Sequence, residues 1–289
     1  MINSSKNYVI TDTTKLYGNE ESFPLIVVNT PKCHAVISLY GGQILDFKAT
    51  NKKPLLWLSP NVVFKTGKAI RGGVPICAPW FGNHPNFSLN HGFARISLWE
   101  QDSIEELPNG DTVIDLKLTD NELSKEYNYQ KFTMRLKITL SDDLTIKFSF
   151  ENHHTSQQVC EWAMHSYLQV ENCEEAIVNG LVNYHYHDKT LNNETNVLTT
   201  PQNFINEVDR SFTHGSLIQT IDSPSVTTTI IGQNCDSVIL WNPGKELADK
   251  MSDISNYHQF ICVERGAINT NRWNISPKNK VTATMILSN

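Results

Sequence analysis

No stretch of this chain approaches the roughly 18 consecutive apolar residues of a membrane-spanning helix. Its start (Met1, Ile2, Asn3, Ser4, Ser5, Lys6) also lacks the apolar core of a secretory leader. No CxxC occurs among the six cysteines, at 33, 77, 160, 173, 235 and 262, and their spacing to histidine does not suit zinc. Several sit inside apolar runs, so they read as free buried thiols of a cytoplasmic protein. Positive charge is not in excess: 24 Lys and Arg against 30 Asp and Glu leave −6. A general nucleic-acid binder usually carries a basic stripe, so that class is disfavoured. Low-complexity tracts, clear repeats and linker-like composition shifts are missing. With 39% hydrophobic and 19% charged residues, disordered, collagenous and coiled-coil chains are excluded.

What is present is alternation. Phe132, Met134, Leu136, Ile138 and Leu140 fall on one face of a period-two pattern, with Lys131, Thr133, Arg135, Lys137 and Thr139 on the other. Residues 144–150 repeat it after a Ser141-Asp142-Asp143 turn. Half-buried antiparallel strands give that signature. Further strands are expected at 25–29, 35–40, 112–118, 159–170, 226–231, 237–241, 259–264 and 281–287. Short helices are expected near 121–126 and 245–251. The pattern predicts an all-β chain, a large β-sandwich forming one domain over residues 1–289.

Five segments carry residues suited to chemistry. In Arg71-Gly72-Gly73-Val74-Pro75, two glycines and a proline make a rigid loop that presents Arg71 to a ligand or to solvent. Asn90-His91-Gly92-Phe93-Ala94-Arg95 gathers an amide, an imidazole and a guanidinium on one loop, and Arg suits a phosphate or carboxylate. In the strand through His165, that histidine shares a face with Glu161, Ala163, Tyr167 and Gln169, away from Trp162, Met164 and Leu168. Glu264 is a carboxylate in an apolar strand, which is costly unless it is paired or functional; burial would raise its pKa and favour a base role. Asp209 either accepts from sugar hydroxyls or pairs with Arg210. His185 and His187 form an HxH pair, but no third ligand stands at suitable spacing, so no metal is expected.

Taken in order, these segments resemble the hexose-6-phosphate 1-epimerase branch of the aldose 1-epimerase (galactose mutarotase-like) superfamily. The likeness runs from about Leu39 to Glu264. It includes Arg71-Gly72-Gly73-Val74-Pro75, Trp80-Phe81-Gly82, His91-Gly92-Phe93-Ala94-Arg95 and His165-Ser166-Tyr167. Later come Tyr186-His187-Asp188-Lys189-Thr190, Asp209-Arg210, Trp241-Asn242-Pro243, Met251-Ser252-Asp253 and Cys262-Val263-Glu264. Asn90 stands where the family usually has Gln. The resemblance implies an antiparallel β-supersandwich with an open cleft, His165 as general acid and Glu264 as general base. Arg71, Arg95 and Asp209 match substrate-binding positions, and His91 and Asn90 are placed near the sugar. No cofactor is implied, and the partner is a small sugar phosphate, with the chain acting as a monomer.

The implied reaction interconverts α and β anomers of a hexose 6-phosphate by ring opening. It needs a base for the C1 hydroxyl and an acid for the ring oxygen, on opposite sides of the O5–C1–O1 unit. A His165–Glu264 separation of about 5–6 Å is expected from hydrogen-bond lengths. A carboxylate nearby would favour the imidazolium. Arg71 and Arg95 would hold the phosphate, with Lys65 or Lys68 in support. A sugar-binding protein without catalysis is the main alternative. A glycoside hydrolase would want two carboxylates rather than His and Glu, and a Cys77 nucleophile lacks a partner pattern.

Overall fold

The computed structural model describes residues 6–289; residues 1–5, to which most of the leader reading applies, lie outside the described residues. The alternating segments pair as expected. Phe132–Leu140 and Leu144–Asn152 run antiparallel with Leu140 opposite Leu144. Ser141 closes the turn, its Oγ donating to the Asp143 carbonyl at 3.0 Å and accepting from the Asp143 amide at 3.2 Å.

Two eight-stranded antiparallel sheets dominate. One runs in space from Glu100–Glu106 through Thr112–Thr119, Phe132–Leu140, Leu144–Asn152, Lys280–Ser288, Val226–Gln233 and Ile218–Ser223 to Ile177–Asn179. The other runs from Glu194–Val197 through His185–Asp188, Val208–Phe212, Ser237–Asn242, Phe260–Ala267 and Trp162–Met164 to Ile76–Cys77; Tyr167–Gln169 also pairs with Phe260–Ala267. A four-stranded sheet of Tyr8–Asp12, Pro24–Asn29, Cys33–Ser38 and Gln43–Ala49 adjoins them through an Ile44–Val74 bridge. The large sheets stack face to face. Phe148 of the first lies 5.0 Å, ring to ring, from Trp162 of the second, and one continuous apolar cluster extends from Phe23 to Leu287. Stacked sheets of this kind interdigitate their inner faces, which leaves the outer face of the second sheet free for a cleft.

Strand period decides which residue faces which way. On Phe260–Ala267, Arg265 points inward, 1% exposed, and donates to the Ser216 carbonyl at 3.0 Å and to Gln219 Oε1 at 2.6 Å. Glu264 therefore points outward, and its carboxylate is not spent on the neighbouring arginine. All six cysteines are buried and free of disulfides.

The expected strand 159–170 is not continuous. It divides into Gln158–Cys160, Trp162–Met164 and Tyr167–Gln169. His165 and Ser166 form a kink in which the Ser166 amide bonds back to the Met164 carbonyl at 3.0 Å. Period-two reading cannot see such an interruption, because the side-chain alternation resumes in phase beyond it. Glu100–Glu106 was not foreseen either. It is a polar edge strand with no buried residue, and charge along an edge blocks pairing with other chains.

Candidate active site

The kink explains the site. Met164 faces Arg265 and Tyr167 faces Cys262 across the ladder. The register is thus unchanged through the gap, and His165 falls opposite Glu264. Cross-strand neighbours point to the same side with their Cβ atoms about 4.5–5.5 Å apart. Here His165 Nε2 lies 3.4 Å from Glu264 Oε1. Ser166 Oγ donates to the Val263 carbonyl at 2.6 Å, holding the broken strand against its partner. The next row of the same face carries Tyr167, Cys262, Trp241 and Asp209 across successive strands. The Tyr167 ring stacks on His165 at 4.8 Å and 7°.

Arg71, Asn90, His91, Arg95, His165, Asp209 and Glu264, all seven residues named from the sequence, line one cleft of about 250 Å³. Four others complete it: Phe81, Lys189, Ile239 and Trp241. A larger depression of about 760 Å³ lies around Trp80, His84 and Tyr127, but neither His165 nor Glu264 borders it. Glu161, expected on the His165 face, stays out of the cleft; it accepts from the Asn269 amide at 2.9 Å. The alternative Asp209–Arg210 pair does not form. Asp209 Oδ1 meets Lys189 Nζ at 3.1 Å, whereas Arg210 turns to Asp188 at 2.9 Å.

The two loops are tied down by close backbone approach. A Cβ at Gly73 would lie 2.1 Å from the Ile44 carbonyl oxygen, and one at Gly92 would lie 2.0 Å from that of Ala78. His91 itself adopts φ +62°, an uncommon conformation for this residue type. Its amide donates to the Gly82 carbonyl at 2.9 Å, and Gly82 N–H donates to His91 Nδ1 at 3.3 Å. We expect Gly92→Ala to cost more than about 1 kcal/mol from the left-handed backbone alone, with the clash added. A denaturant midpoint equal to wild type would refute this.

Charges are unevenly matched. Arg71 Nε donates to Asp253 Oδ2 at 2.9 Å and Nη1 to Tyr167 Oη at 2.9 Å. Arg95 Nη2 donates to the Asn90 carbonyl at 2.9 Å, and its buried Nε has no partner. Among the described residues no carboxylate pairs with Arg95. Glu264 Oε2 and His165 Nδ1 are likewise buried without partners.

Burial sets the protonation of the site. It pushes Glu264 well above the ordinary carboxyl value; Lys189 and Arg95 pull the other way and Asp209 adds to the rise. It pushes His165 well below the ordinary imidazole value, with His91, Arg95 and Arg71 adding to the fall. The expectation that Glu264 would hold His165 as an imidazolium is therefore corrected: desolvation outweighs the neighbouring carboxylate, and the free cleft favours the neutral pair. Burial, then Arg95, Lys189 and Arg71, lower His91 to about 3. Since His91 Nδ1 accepts, its Nε2–H is a fixed donor. The expected 5–6 Å bracket is likewise replaced by a pair in contact, with acid and base side by side rather than opposed.

The aldose 1-epimerase family model matches residues 24–288. A "Putative glucose-6-phosphate 1-epimerase" of Salmonella typhimurium is 33% identical over 252 residues, covering 84% of this chain and 83% of the relative. A plant protein of the same description, from Cenchrus ciliaris, is 33% identical over 252 residues, covering 82% of this chain and 75% of its own. The crystal structure of a "putative mutarotase (YeaD)" from Salmonella typhimurium superposes with a TM-score of 0.87 at 28% identity, over 97% of this chain and 93% of that one.

Proposed function

Because the chain belongs to the aldose 1-epimerase family, we propose that its cleft interconverts the anomers of glucose 6-phosphate. The observation that carries this reading is the buried His165–Glu264 pair at 3.4 Å, in one cleft with Arg95, which pairs with no carboxylate among the described residues.

In a hexose hemiacetal, O1 and O5 are both bonded to C1 and so lie close together. An acid and a base in contact can address both oxygens from one side. Glu264 takes the C1 hydroxyl proton while His165 delivers one to O5. The C1–O5 bond breaks and the aldehyde forms. Rotation about C1–C2 and attack on the other carbonyl face close the ring, with the proton movements reversed. The pair holds one proton throughout. From the resting neutral pair the proton first passes from Glu264 to His165 across their 3.4 Å contact; the step then begins with carboxylate and imidazolium and ends with carboxylic acid and neutral imidazole. The second arrangement is the one burial favours, so the dry site lowers the energy of the state that accompanies the open chain. His91 Nε2–H and the Trp241 face bound the space for the ring.

A 6-phosphate brings about −1.5 to −2 charges. Arg71 is already compensated by Asp253, and Lys189 by Asp209. Arg95, with no ion-pair partner among the described residues, is the better anchor, which narrows the expectation that both arginines share the phosphate. Lys65 and Lys68 do not line this cleft. We expect Arg95→Met to lower kcat/KM for glucose 6-phosphate by about 10- to 100-fold, the usual worth of a hydrogen bond between charged groups, and to change glucose little. Polarimetry on freshly dissolved α-anomers measures both; equal losses on the two sugars would move the phosphate elsewhere. Equal wild-type kcat/KM for glucose and glucose 6-phosphate would remove phosphate recognition altogether. A protein that binds the sugar phosphate without speeding anomer exchange would restore the non-catalytic reading. The six free thiols suit a reducing compartment, and a cytoplasmic location is part of this proposal.

A further inference from the structure

Lys189 has no role in the proton transfers or the phosphate contact, yet it lines the cleft. Asp188 pairs with Arg210 across the ladder, so the next position in register sets Lys189 beside Asp209. Its Nζ is 3.1 Å from Asp209 Oδ1 and 5.4 Å from the centre of the Phe81 ring. The backbone there is pinned by the preceding residue. Buried Asp188 accepts from the Thr190 amide at 3.1 Å, from Thr190 Oγ1 at 2.6 Å and from Arg210 Nε at 2.9 Å. The ammonium is thus anchored at its base, paired at its tip and backed by an aromatic face.

We propose that Lys189 is a specificity-determining residue which, together with Asp209, grips two adjacent hydroxyls on the side of the sugar ring remote from C1. This rests on the reading of the cleft as a hexose phosphate site. Three arguments support it. The first is distance. Asp209 lies two strands from Glu264 and one row along, roughly 10 Å across the sheet and about 7 Å along it, or about 12 Å between backbones; both side chains rise from the same face, and the span admits one pyranose with a hydrogen bond at each end. A ring whose C1 sits at Glu264 therefore presents its 3- and 4-hydroxyls to Asp209 and Lys189. The second is charge. Lys189 is already compensated by Asp209, while Arg95 has no carboxylate partner among the described residues, so a phosphate gains more at Arg95 and need not break an existing pair. The third is donor and acceptor count. Each sugar hydroxyl both donates and accepts. The ammonium offers three N–H donors, one of them directed to Asp209, and the carboxylate only accepts. Side by side they match a vicinal diol, the ammonium donating to one oxygen while the carboxylate accepts from its neighbour.

The test compares wild type, Lys189→Met and Lys189→Arg on glucose 6-phosphate, on its 3-deoxy and 4-deoxy analogues, and on glucose. Lys189→Met is expected to raise KM for glucose 6-phosphate about 10- to 100-fold, with kcat changed less, and to do the same to glucose. On the deoxy analogue that lacks the gripped hydroxyl, the substitution should cost nothing further, because wild type has already lost that contact. Lys189→Arg should recover part of the loss. A penalty on glucose 6-phosphate with none on glucose would make Lys189 a phosphate ligand and overturn the assignment. Equal penalties on every analogue would reduce it to a structural residue and also overturn it. Should wild type prove inactive on all four sugars, the proposed function fails instead. Calorimetric binding of glucose 6-phosphate to wild type and Lys189→Met would still decide the role of Lys189.

Discussion

Glu264→Gln is expected to slow anomer exchange of glucose 6-phosphate by about 10²–10⁴-fold, the usual contribution of a positioned general base, and to leave the fold at least as stable as wild type. Gln keeps the shape of the side chain and its capacity for hydrogen bonds but cannot take the C1 proton. The stability half of the result follows from burial. Glu264 is 1% exposed and its Oε2 has no partner, so the charged form is poorly solvated. Its pKa in the fold lies above the ordinary value of 4.5. Between those two values the folded state holds a proton that the unfolded chain releases, so this group's contribution to stability falls as pH rises. The amide is free of that penalty. The melting temperature of Glu264→Gln minus that of wild type should therefore grow from pH 4 to pH 8. A variant within tenfold of wild-type activity would remove Glu264 as the base. A melting difference that shrinks with pH would contradict the burial argument.

His165→Asn should cost a similar 10²–10⁴-fold, with some loss of stability from the missing stack on Tyr167. Because acid and base act in one proton relay, the double variant should be scarcely slower than either single one. The wild-type pH profile adds an independent reading. The pair is productive when it carries one proton, so kcat/KM should be bell-shaped, with limbs that belong to the pair rather than to either residue. Burial pushes the imidazole below 6.5 and the carboxyl above 4.5. The acid limb, where a second proton silences the base, should thus fall below pH 6.5. The alkaline limb, where the last proton leaves, should lie above pH 4.5. Glucose is the substrate of choice here, since a phosphate titrates near pH 6 by itself. An acid limb above pH 6.5 would refute the burial argument, and additive losses in the double variant would refute the relay.

The parts of the fold legible in the sequence were those where one face is wet and the other dry. Residues 132–140 declare themselves because every second side chain is fully buried in the structure. Glu100–Glu106 pairs through its backbone and through surface ion pairs such as Asp102–Arg135 at 2.6 Å, with no buried face, and carries no such signal. The kink at His165 and Ser166 hides for a related reason: it breaks hydrogen bonds without breaking phase. Six of the seven site residues stood out because chemistry-bearing side chains sat on glycine-containing loops or within largely apolar strands; Asp209, in a polar segment, was marked only by the family resemblance. Lys189 and Trp241 lay in quoted motifs, yet their membership of the cleft depends on which distant strands lie side by side, and one chain read alone does not reveal that. The protonation of His165 was misread because a neighbouring carboxylate is visible in sequence, whereas the loss of water around both groups is a property of the packed sheet.

The unbroken register across the kink bears on how this chain tolerates change in length. The gap between acid and base is not tuned by a loop that can stretch. It is one rung of a ladder, clipped on one side by Ser166 and continuous with paired residues on both sides. Deleting or inserting one residue between Trp162 and Tyr167 would turn His165 to the opposite face or carry it past Glu264 to the next rung. Activity in this segment should therefore survive many single substitutions and no single-residue indel. Loops such as the Ser141-Asp142-Asp143 turn, far along the other sheet, should accept both.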